Sequence, residues 1–470
     1  MKKKSKYKDL FKNVGLLTLS NFGSKILSFL FVPIYTAILS TNEYGIFDIF
    51  NTTISLLIPL LTLNIIEGAL RFLLDKDSNK KEIVSLGIKK INLSIILVTL
   101  FIFVNNKLNI FDVINEYGIF FLLLYVSNTY YSFCSNVSRG FDKVGHLAIA
   151  SFLNTFFTLF FNILFLVVFK NGLTGYFFAQ ILSHIIPTIY LFIVLKLWKY
   201  IKIFNFDEGY DKQIVNYSTP LLVNSISWWI NNASDRYIII WLLGLSYSGV
   251  YSVAYKIPTI INVVQTIFNQ AWILSTVKEY DKNDEDGFFT NTYNAYNFLL
   301  VFVGSVIIIT TKIIARLLYS NDFYLAWQYV PFLTISVVFG AISGYIGGLF
   351  IATKDSKIYS ISTMIGAIFN IIFNFLLIML FGVMGAAIST LLSYFVVYII
   401  RIYFIKKKIK IRFELFRDNI SYLILIIQSV ILFILNGFVS YILEMILLLI
   451  LLLMYKKEIK LFLKKIGGIR

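Results

Sequence analysis

Charged side chains lie inside the long apolar segments of this sequence, where a charge is costly. Lys25 lies near the middle of the first apolar segment and Arg71 near the end of the second, while Arg236 and Lys256 lie in later ones. A charge at bilayer depth costs about 2.5–3.5 kcal/mol on insertion scales, so such residues usually face a protein interior or a hydrated cavity. We expect these four cations to line a hydrated path and to bind an anionic group, of which phosphate is the obvious membrane-compatible example.

Three acidic residues accompany these cations. Glu67 precedes Arg71 by one helical turn, which is the favourable order for an ion pair, and Asp235 adjoins Arg236. Together with Asp48, they are candidate counter-ions or carriers of protons or sodium. The structural alternatives are ordinary buried ion pairs and, for Arg71, a side chain that extends to the lipid headgroups.

Amide side chains fall on the same predicted helical faces as the charged residues. Asn21 and Lys25, for example, are spaced one helical turn apart. Hydrogen bonding between neighbouring helices is the structural alternative for each amide. The amides expected to line the cavity are Asn21, Asn224, Asn231, Asn262, Gln265 and Asn269.

The elements that position these residues must be membrane-spanning helices. Of the 470 residues, 58% are hydrophobic and only 14% are charged, against about 25% charged in a typical soluble chain. Continuous apolar runs predict helices rather than the alternating strands of a membrane barrel. About fourteen spans are predicted, at 13–38, 46–71, 83–104, 117–137, 145–169, 173–195, 214–243, 248–273, 289–311, 327–351, 358–380, 383–400, 419–436 and 438–455.

Several chemistries find no support in the sequence. Cys134 is the single cysteine, and with only two histidines we expect neither an internal disulfide nor a metal site. No Gly-x-x-x-x-Gly-Lys-Ser/Thr phosphate loop occurs, so no ATP-driven step and no cofactor are expected. The net charge of +17 does not indicate nucleic-acid binding, because the lysines cluster in short breaks between apolar segments.

The same breaks predict the orientation of the chain. Most of the 42 Lys and Arg residues fall in alternate breaks, including the N-terminal tail and segment 401–417. Because positive residues favour the cytoplasmic side, we expect a multi-pass protein of the cell membrane with both termini in the cytoplasm. The cations left for the outer side are Lys107, Lys170, Lys312 and Arg316, the last two in a predicted loop at 312–326.

Short sequence matches separated by about 210 residues indicate an internal repeat. They pair 45–49 with 249–253, 161–164 with 373–376, and 172–175 with 382–385. Two parallel six-helix lobes are therefore predicted at 1–200 and 201–410, with two further helices and a basic tail at 411–470. Transporters of that design place the substrate path between the lobes.

Longer motifs resemble a known family. In the first half they are Asn21-Phe-Gly-Ser-Lys25, Pro33-Ile-Tyr35 and Glu43-Tyr-Gly-Ile-Phe-Asp-Ile49. In the second half they are Ser234-Asp-Arg-Tyr-Ile238, Gly249-Val-Tyr-Ser-Val-Ala-Tyr-Lys-Ile257 and Gln270-Ala-Trp272. With these motifs and its layout of spans, the sequence resembles the polysaccharide-transporter (oligosaccharide flippase, Wzx-like) family of the multidrug/oligosaccharidyl-lipid/polysaccharide exporter superfamily.

The resemblance implies an all-α, MATE-like membrane protein whose two six-helix lobes form a V-shaped central cavity. It implies a flippase rather than an enzyme, moving polyprenyl-diphosphate-linked oligosaccharide from the inner to the outer leaflet by alternating access. The product would be capsule, O-antigen or another surface polysaccharide, with polysaccharide polymerase and assembly proteins as candidate partners. In that picture Lys25, Arg71, Arg236 and Lys256 face the diphosphate or acidic sugars, and the lipid tail stays in the bilayer.

Three other functions stay open at this point. A lipid II flippase is a close relative that the sequence does not separate from the first hypothesis. A multidrug/cation antiporter of the same superfamily would need an acidic cavity, against which Lys25 and Lys256 argue. A membrane-embedded glycan polymerase would need catalytic groups on substantial external loops, whereas the predicted loops are short and almost uncharged.

Overall fold

The structure, a computed structural model, is helical throughout the part of the chain that it describes, and no strand occurs in that part. The described residues are 29, 31–75, 77–202, 207–278, 281–353, 355–435 and 437–460. Asn21 and Lys25 lie outside them, together with most of the first predicted span. The all-α fold class is confirmed, while the V-shaped central cavity stays a prediction.

Most helices follow the predicted spans within a few residues. The first eight are α1 (Val32–Ile38), α2 (Thr41–Leu61), α3 (Ile65–Leu73), α4 (Lys80–Leu108), α5 (Asp112–Gly140), α6 (Val144–Asn162), α7 (Gly172–Val194) and α8 (Glu208–Leu242). A π-helical segment, Ile163–Val168, continues α6, and a 3-10 helix, Leu197–Tyr200, follows α7.

The remaining helices complete the described chain. They are α9 (Leu245–Ala254), α10 (Thr259–Lys278), α11 (Phe288–Leu318), α12 (Val330–Ala352), α13 (Ser356–Phe381), α14 (Val383–Lys406), α15 (Leu415–Ile434) and α16 (Phe438–Met454). A 3-10 helix, Asn321–Gln328, precedes α12. Because α11 continues to Leu318, the prediction of a loop from residue 312 is wrong, and Lys312 and Arg316 lie in the last turns of this helix.

The lengths and exposed faces of the helices suit a lipid environment. Nine helices in the described chain are long and apolar enough to cross a membrane. Large apolar side chains such as Ile96 and Leu380 are well exposed, as expected of surfaces that face acyl chains. The count of fourteen stays a prediction, because most of the first span lies outside the described residues and α16, with 17 residues, is shorter than the nine.

Two predicted spans are wrong as single helices. The span at 46–71 breaks between α2 and α3, where Leu63 and Asn64 adopt left-handed φ angles of 54° and 53°. The span at 248–273 breaks between α9 and α10, because Pro258 has no N–H to donate and its ring disfavours a continuous helix. Each break is only three or four residues long and has apolar residues on both sides, so hydropathy averaged over a span does not reveal it.

The repeat seen in the sequence extends to local conformation. Gly172 and Gly382 stand at equivalent helix starts and have positive φ angles of 54° and 60°. Asn162 and Asn374 are both buried, and each donates one turn back along its own helix, to the Thr158 carbonyl oxygen and to Asn370 Oδ1. Equivalent residues of the two halves therefore meet equivalent structural demands.

The described chain forms two compact units that divide within α8. One ends at Trp229 and the other begins at Ile230. The first unit is built on a buried apolar core from α3, α4 and α5 that includes Ile66, Val84 and Phe133. The second unit contains the end of α8 and all later helices, and it holds the site described below. The predicted lobes at 1–200 and 201–410, and the appendage at 411–470, stay predictions.

Candidate functional site

Asp235 lies in a group of hydroxyls where α8, α9 and α14 meet. Its side chain is only 1% exposed. Its Oδ2 atom accepts hydrogen bonds from the Tyr251 hydroxyl at 2.6 Å and the Tyr255 hydroxyl at 3.1 Å, and Thr390 Oγ1 lies 3.5 Å away. A buried carboxylate is tolerated only when it is hydrogen-bonded and paired, and this arrangement supplies the hydrogen bonds.

Arg236 supplies the positive partner. Its Nη1 lies 3.6 Å from Asp235 Oδ1, and its own backbone N–H donates to the same oxygen at 3.0 Å. Its Nε donates to Ser252 Oγ at 3.0 Å, and its guanidinium lies 5.0 Å from the centre of the Tyr255 ring. The predicted contact between Asp235 and Arg236 is present, and α9 fixes the direction in which the guanidinium points.

Lys256 lies in the break that separates α9 from α10. Its backbone N–H donates to the Val253 carbonyl oxygen at 2.9 Å, which closes the last turn of α9, and its side chain is partly buried. The preceding residue, Tyr255, contacts both Asp235 and Arg236. Lys256 is therefore adjacent in sequence to a residue that contacts the Asp235–Arg236 pair, and the three side chains carry two formal positive charges and one negative charge.

The predicted charged residues of the first unit are arranged differently. Arg71 pairs with Asp75 at 2.5 Å, one turn further along the chain, rather than with Glu67 as expected. Arg71 and Glu67 are both exposed, and Asp48 is partly buried on α2. The expected Glu67–Arg71 pair is wrong because Asp75, just beyond the end of α3, offers an equally spaced partner.

The predicted amides lie in several environments. Asn231 is buried and donates from Nδ2 to the Thr363 carbonyl oxygen at 3.2 Å, so it joins α8 to α13. Gln265 and Asn269 on α10 approach Gly344, where an added Cβ would lie 3.0 Å from Gln265 Nε2. Asn262 is partly buried and Asn224 is exposed. Interhelical contact explains Asn231, Gln265 and Asn269, whereas cavity lining stays a prediction for all of them.

Arg401 is a buried cation that the sequence did not single out. It is 3% exposed, and it donates to Ser362 Oγ at 2.9 Å, the Ser343 carbonyl oxygen at 2.6 Å and Thr363 Oγ1 at 2.9 Å. The sequence assigned it to the inner break at 401–417 because the apolar run weakens there, but α14 extends to Lys406. Its oxygen partners lie on α12 and α13, so no local pattern could identify them.

The chemistry of the cluster is that of binding rather than bond cleavage. Guanidinium, ammonium and hydroxyl groups are the donors that proteins use for phosphate and other oxyanions. Among the residues that the structure describes, no group of three or more His, Cys, Asp or Glu side chains is arranged to hold a metal ion. The second unit therefore presents a polar, cation-bearing cluster inside a helical membrane framework.

Comparison with solved structures identifies the fold. The fold resembles that of lipid II flippase MurJ in an inward closed conformation, with a TM-score of 0.69, 14% identity, and coverage of 96% of this chain and 99% of that one. It also resembles an inward-facing multidrug resistance MATE family transporter of the MOP superfamily, with a TM-score of 0.67, 14% identity, and coverage of 82% and 94%. The chain is a multi-pass membrane protein with the fold of this superfamily.

The family follows from the sequence comparison. Residues 10–273 match the family described as polysaccharide biosynthesis protein, and the chain belongs to that family. The predicted family is thus confirmed.

Two relatives are similar over part of their length. The probable low-salt glycan biosynthesis flippase Agl15 of Haloferax volcanii is 24% identical over 208 residues, which are 43% of this chain and 44% of the relative. An uncharacterized membrane protein of Methanocaldococcus jannaschii is 23% identical over 318 residues, which are 64% of this chain and 61% of the relative. Both matches span less than two thirds of the relative's own length.

Proposed function

We propose that the protein is a flippase that moves polyprenyl-diphosphate-linked oligosaccharides from the inner to the outer leaflet of the cell membrane. Its family, and its similarity to a glycan biosynthesis flippase of Haloferax volcanii, support a transporter of lipid-linked glycan rather than an enzyme. Both termini lie in the cytoplasm in this proposal, and a polysaccharide polymerase and assembly proteins act on the delivered glycan.

The observation that carries this proposal is the position of Lys256 in a helix break, directly after Tyr255, which contacts both Asp235 and Arg236. Breaks within membrane helices are tolerated where the backbone is buried in protein or lines a cavity. Arg236, Lys256 and Asp235 together carry a formal charge of +1. A cation at such a break suits a diphosphate better than it suits an organic cation, which favours the flippase over the multidrug antiporter.

The residues of the first half enter the same proposal from the sequence. Lys25 and Asn21 would contribute a second contact to the diphosphate, and Asp48, Glu67 and Asp235 are the carboxyl groups available for coupling to protons or sodium. Arg71, exposed and paired with Asp75, would contact the substrate only near its point of entry.

The test is leaflet-resolved measurement of lipid-linked oligosaccharide in a strain that lacks this protein. Wild-type protein should restore the outer-leaflet glycan, and Lys256→Ala should leave it on the inner leaflet at equal protein level. Lys357→Ala, which changes an exposed lysine on α13, is the matched control and should restore transport. Full rescue by Lys256→Ala would overturn the assignment of Lys256.

Substrate class is tested with purified protein in sealed vesicles. Polyprenyl-diphosphate oligosaccharide should change leaflet, while lipid II and a fluorescent organic cation should move much more slowly. Faster movement of lipid II would replace the proposal with a lipid II flippase, and proton-driven movement of the organic cation alone would replace it with an antiporter.

A further inference from the structure

A cavity of about 340 Å³ lies at one end of the second unit, between the last turns of α11 and the turn that joins α15 to α16. Lys312 and Arg316, one helical turn apart on α11, line it. Ligand pockets span roughly 300–1,000 Å³, so this one suits a small polar group and is too small for an oligosaccharide.

Polar and apolar groups line different parts of this cavity. Ser440 and Tyr441 on α16 offer hydroxyls beside the two cations, while Leu432 and Leu435 supply an apolar wall. Arg316 is exposed, and no ion pair of its guanidinium is found within the described residues. The combination of two cations, hydroxyl donors and an apolar wall suits a phosphate group that carries a hydrocarbon chain.

Trp327 indicates the depth of the cavity. The Lys312 ammonium lies 4.6 Å from the centre of the Trp327 ring, and that ring packs against Phe433 at 5.2 Å. Tryptophan concentrates where hydrocarbon meets headgroups, so this end of α11 lies at headgroup level. Simple extension of Lys312 towards water would not require Arg316, Ser440 and Tyr441 to line the same cavity.

Glu444 is a buried carboxyl group on α16, outside the lining of the cavity. Its side chain is buried, neither carboxylate oxygen has a hydrogen-bond partner in the described part of the chain, and it interacts electrostatically with Lys312. Because Glu444 does not line the cavity, the two cations on its wall keep their attraction for an anion.

We propose that this cavity, lined by Lys312, Arg316, Ser440 and Tyr441, binds the phosphate group of an anionic membrane lipid. The occupant is a lipid of the bilayer around the protein, held by its phosphate in the cavity and by its chains along α15 and α16. This proposal does not depend on the transported substrate, and it holds whether or not the chain is a glycan flippase.

The test measures phosphatidylglycerol bound to the purified full chain in detergent by native mass spectrometry. The double variant Lys312→Ala/Arg316→Ala should bind about tenfold more weakly, since two charge-assisted contacts are lost. Lys107→Ala, which changes an exposed lysine in the last turn of α4, is the matched control and should bind as wild type does.

Two competitors distinguish binding of a lipid phosphate from binding of free phosphate. Diacylglycerol, which has no phosphate, should not compete, and millimolar inorganic phosphate should compete poorly because it lacks acyl chains. Arg316→Ala alone, at an exposed position, guards against misfolding of the double variant and should weaken binding by a smaller factor. Unchanged binding in both Ala variants, equal competition by diacylglycerol, or full displacement by inorganic phosphate would each overturn the proposal.

Discussion

The Tyr251 hydroxyl donates a 2.6 Å hydrogen bond to Asp235 Oδ2 and so ties α9 to α8 through a buried carboxylate. The next turn begins with Tyr255, which contacts the same oxygen, and Lys256 follows in the helix break. Asp235 thus holds the end of α9 and the first residue of the break through two hydrogen bonds. A substitution at Asp235 should therefore change the position of Lys256.

Asp235→Asn should destabilise the protein and impair transport. Removing one partner of a buried ion pair typically costs about 3–5 kcal/mol, because the remaining charge is left without compensation. We expect a lower midpoint of thermal unfolding in detergent and little outer-leaflet glycan in cells.

Tyr251→Phe is the graded control for this prediction. It removes one hydrogen bond and keeps the Asp235–Arg236 contact, so a loss of about 1–3 kcal/mol is expected. An Asp235→Asn variant as stable as wild type would contradict the role given to the pair.

The sequence predicted the helical framework well because long apolar segments have few alternatives in a bilayer. It also predicted the contact between Asp235 and Arg236, since the two residues are adjacent. It could not predict Tyr251, Tyr255 and Thr390 as partners of Asp235, because these residues come from α9, the turn after it and α14. Contacts between helices leave no periodic signal in either helix alone.

The breaks and Arg401 were missed for different reasons. The breaks at 62–64 and 255–258 are only three or four residues long, so the apolar residues on both sides of each break concealed it. Arg401 was assigned to a loop because a charged residue near the end of an apolar run usually marks the end of a membrane span. In the structure its guanidinium is instead satisfied by hydroxyl and carbonyl oxygens of α12 and α13.

Arg401→Lys should destabilise the protein although it keeps the charge. An ammonium group cannot reach Ser362, Ser343 and Thr363 together, so at least one buried oxygen loses its donor, at about 1–3 kcal/mol. Chemical unfolding of the purified protein would measure this loss. Arg412→Lys, at an exposed position after α14, should be neutral. Equal stability of the two variants would mean that Arg401 acts only through its charge.

Gly385→Ala should disrupt the close approach of α14 to α13. A Cβ at this position would overlap the Leu377 carbonyl oxygen, which belongs to rigid helix backbone. Overpacking of this kind costs about 1–3 kcal/mol. The matched control is Gly145→Ala in the first turn of α6, where a Cβ would meet nothing within 4 Å, and no loss is expected there. Thermal unfolding of both variants side by side distinguishes them, and similar losses would contradict the packing argument.

Acidification should weaken the contact between Asp355, which precedes α13, and Lys408, which follows α14. Lys408 lies 2.5 Å from Asp355, and this hydrogen bond lowers the pKa of the Asp355 carboxyl below its ordinary value. Because the pKa is lower in the folded protein, the contribution to stability is present above the ordinary Asp pKa and is lost as the pH falls through the folded value. Asp355→Asn should therefore reduce the dependence of unfolding on pH below about pH 4, whereas an unchanged pH profile would contradict the contact.

Pro258→Ala tests whether the helix break itself serves transport. Alanine restores an N–H that can donate to the carbonyl oxygen four residues earlier, so α9 and α10 can join into one continuous helix. In that helix the Lys256 side chain would point in a different direction. We expect transport to fall while the unfolding midpoint stays the same or rises, which is the opposite of the Asp235→Asn result. Hydrogen exchange across 255–258 should slow in the variant. Normal transport with slowed exchange would show that the break is dispensable, and Lys256 would then act from a continuous helix.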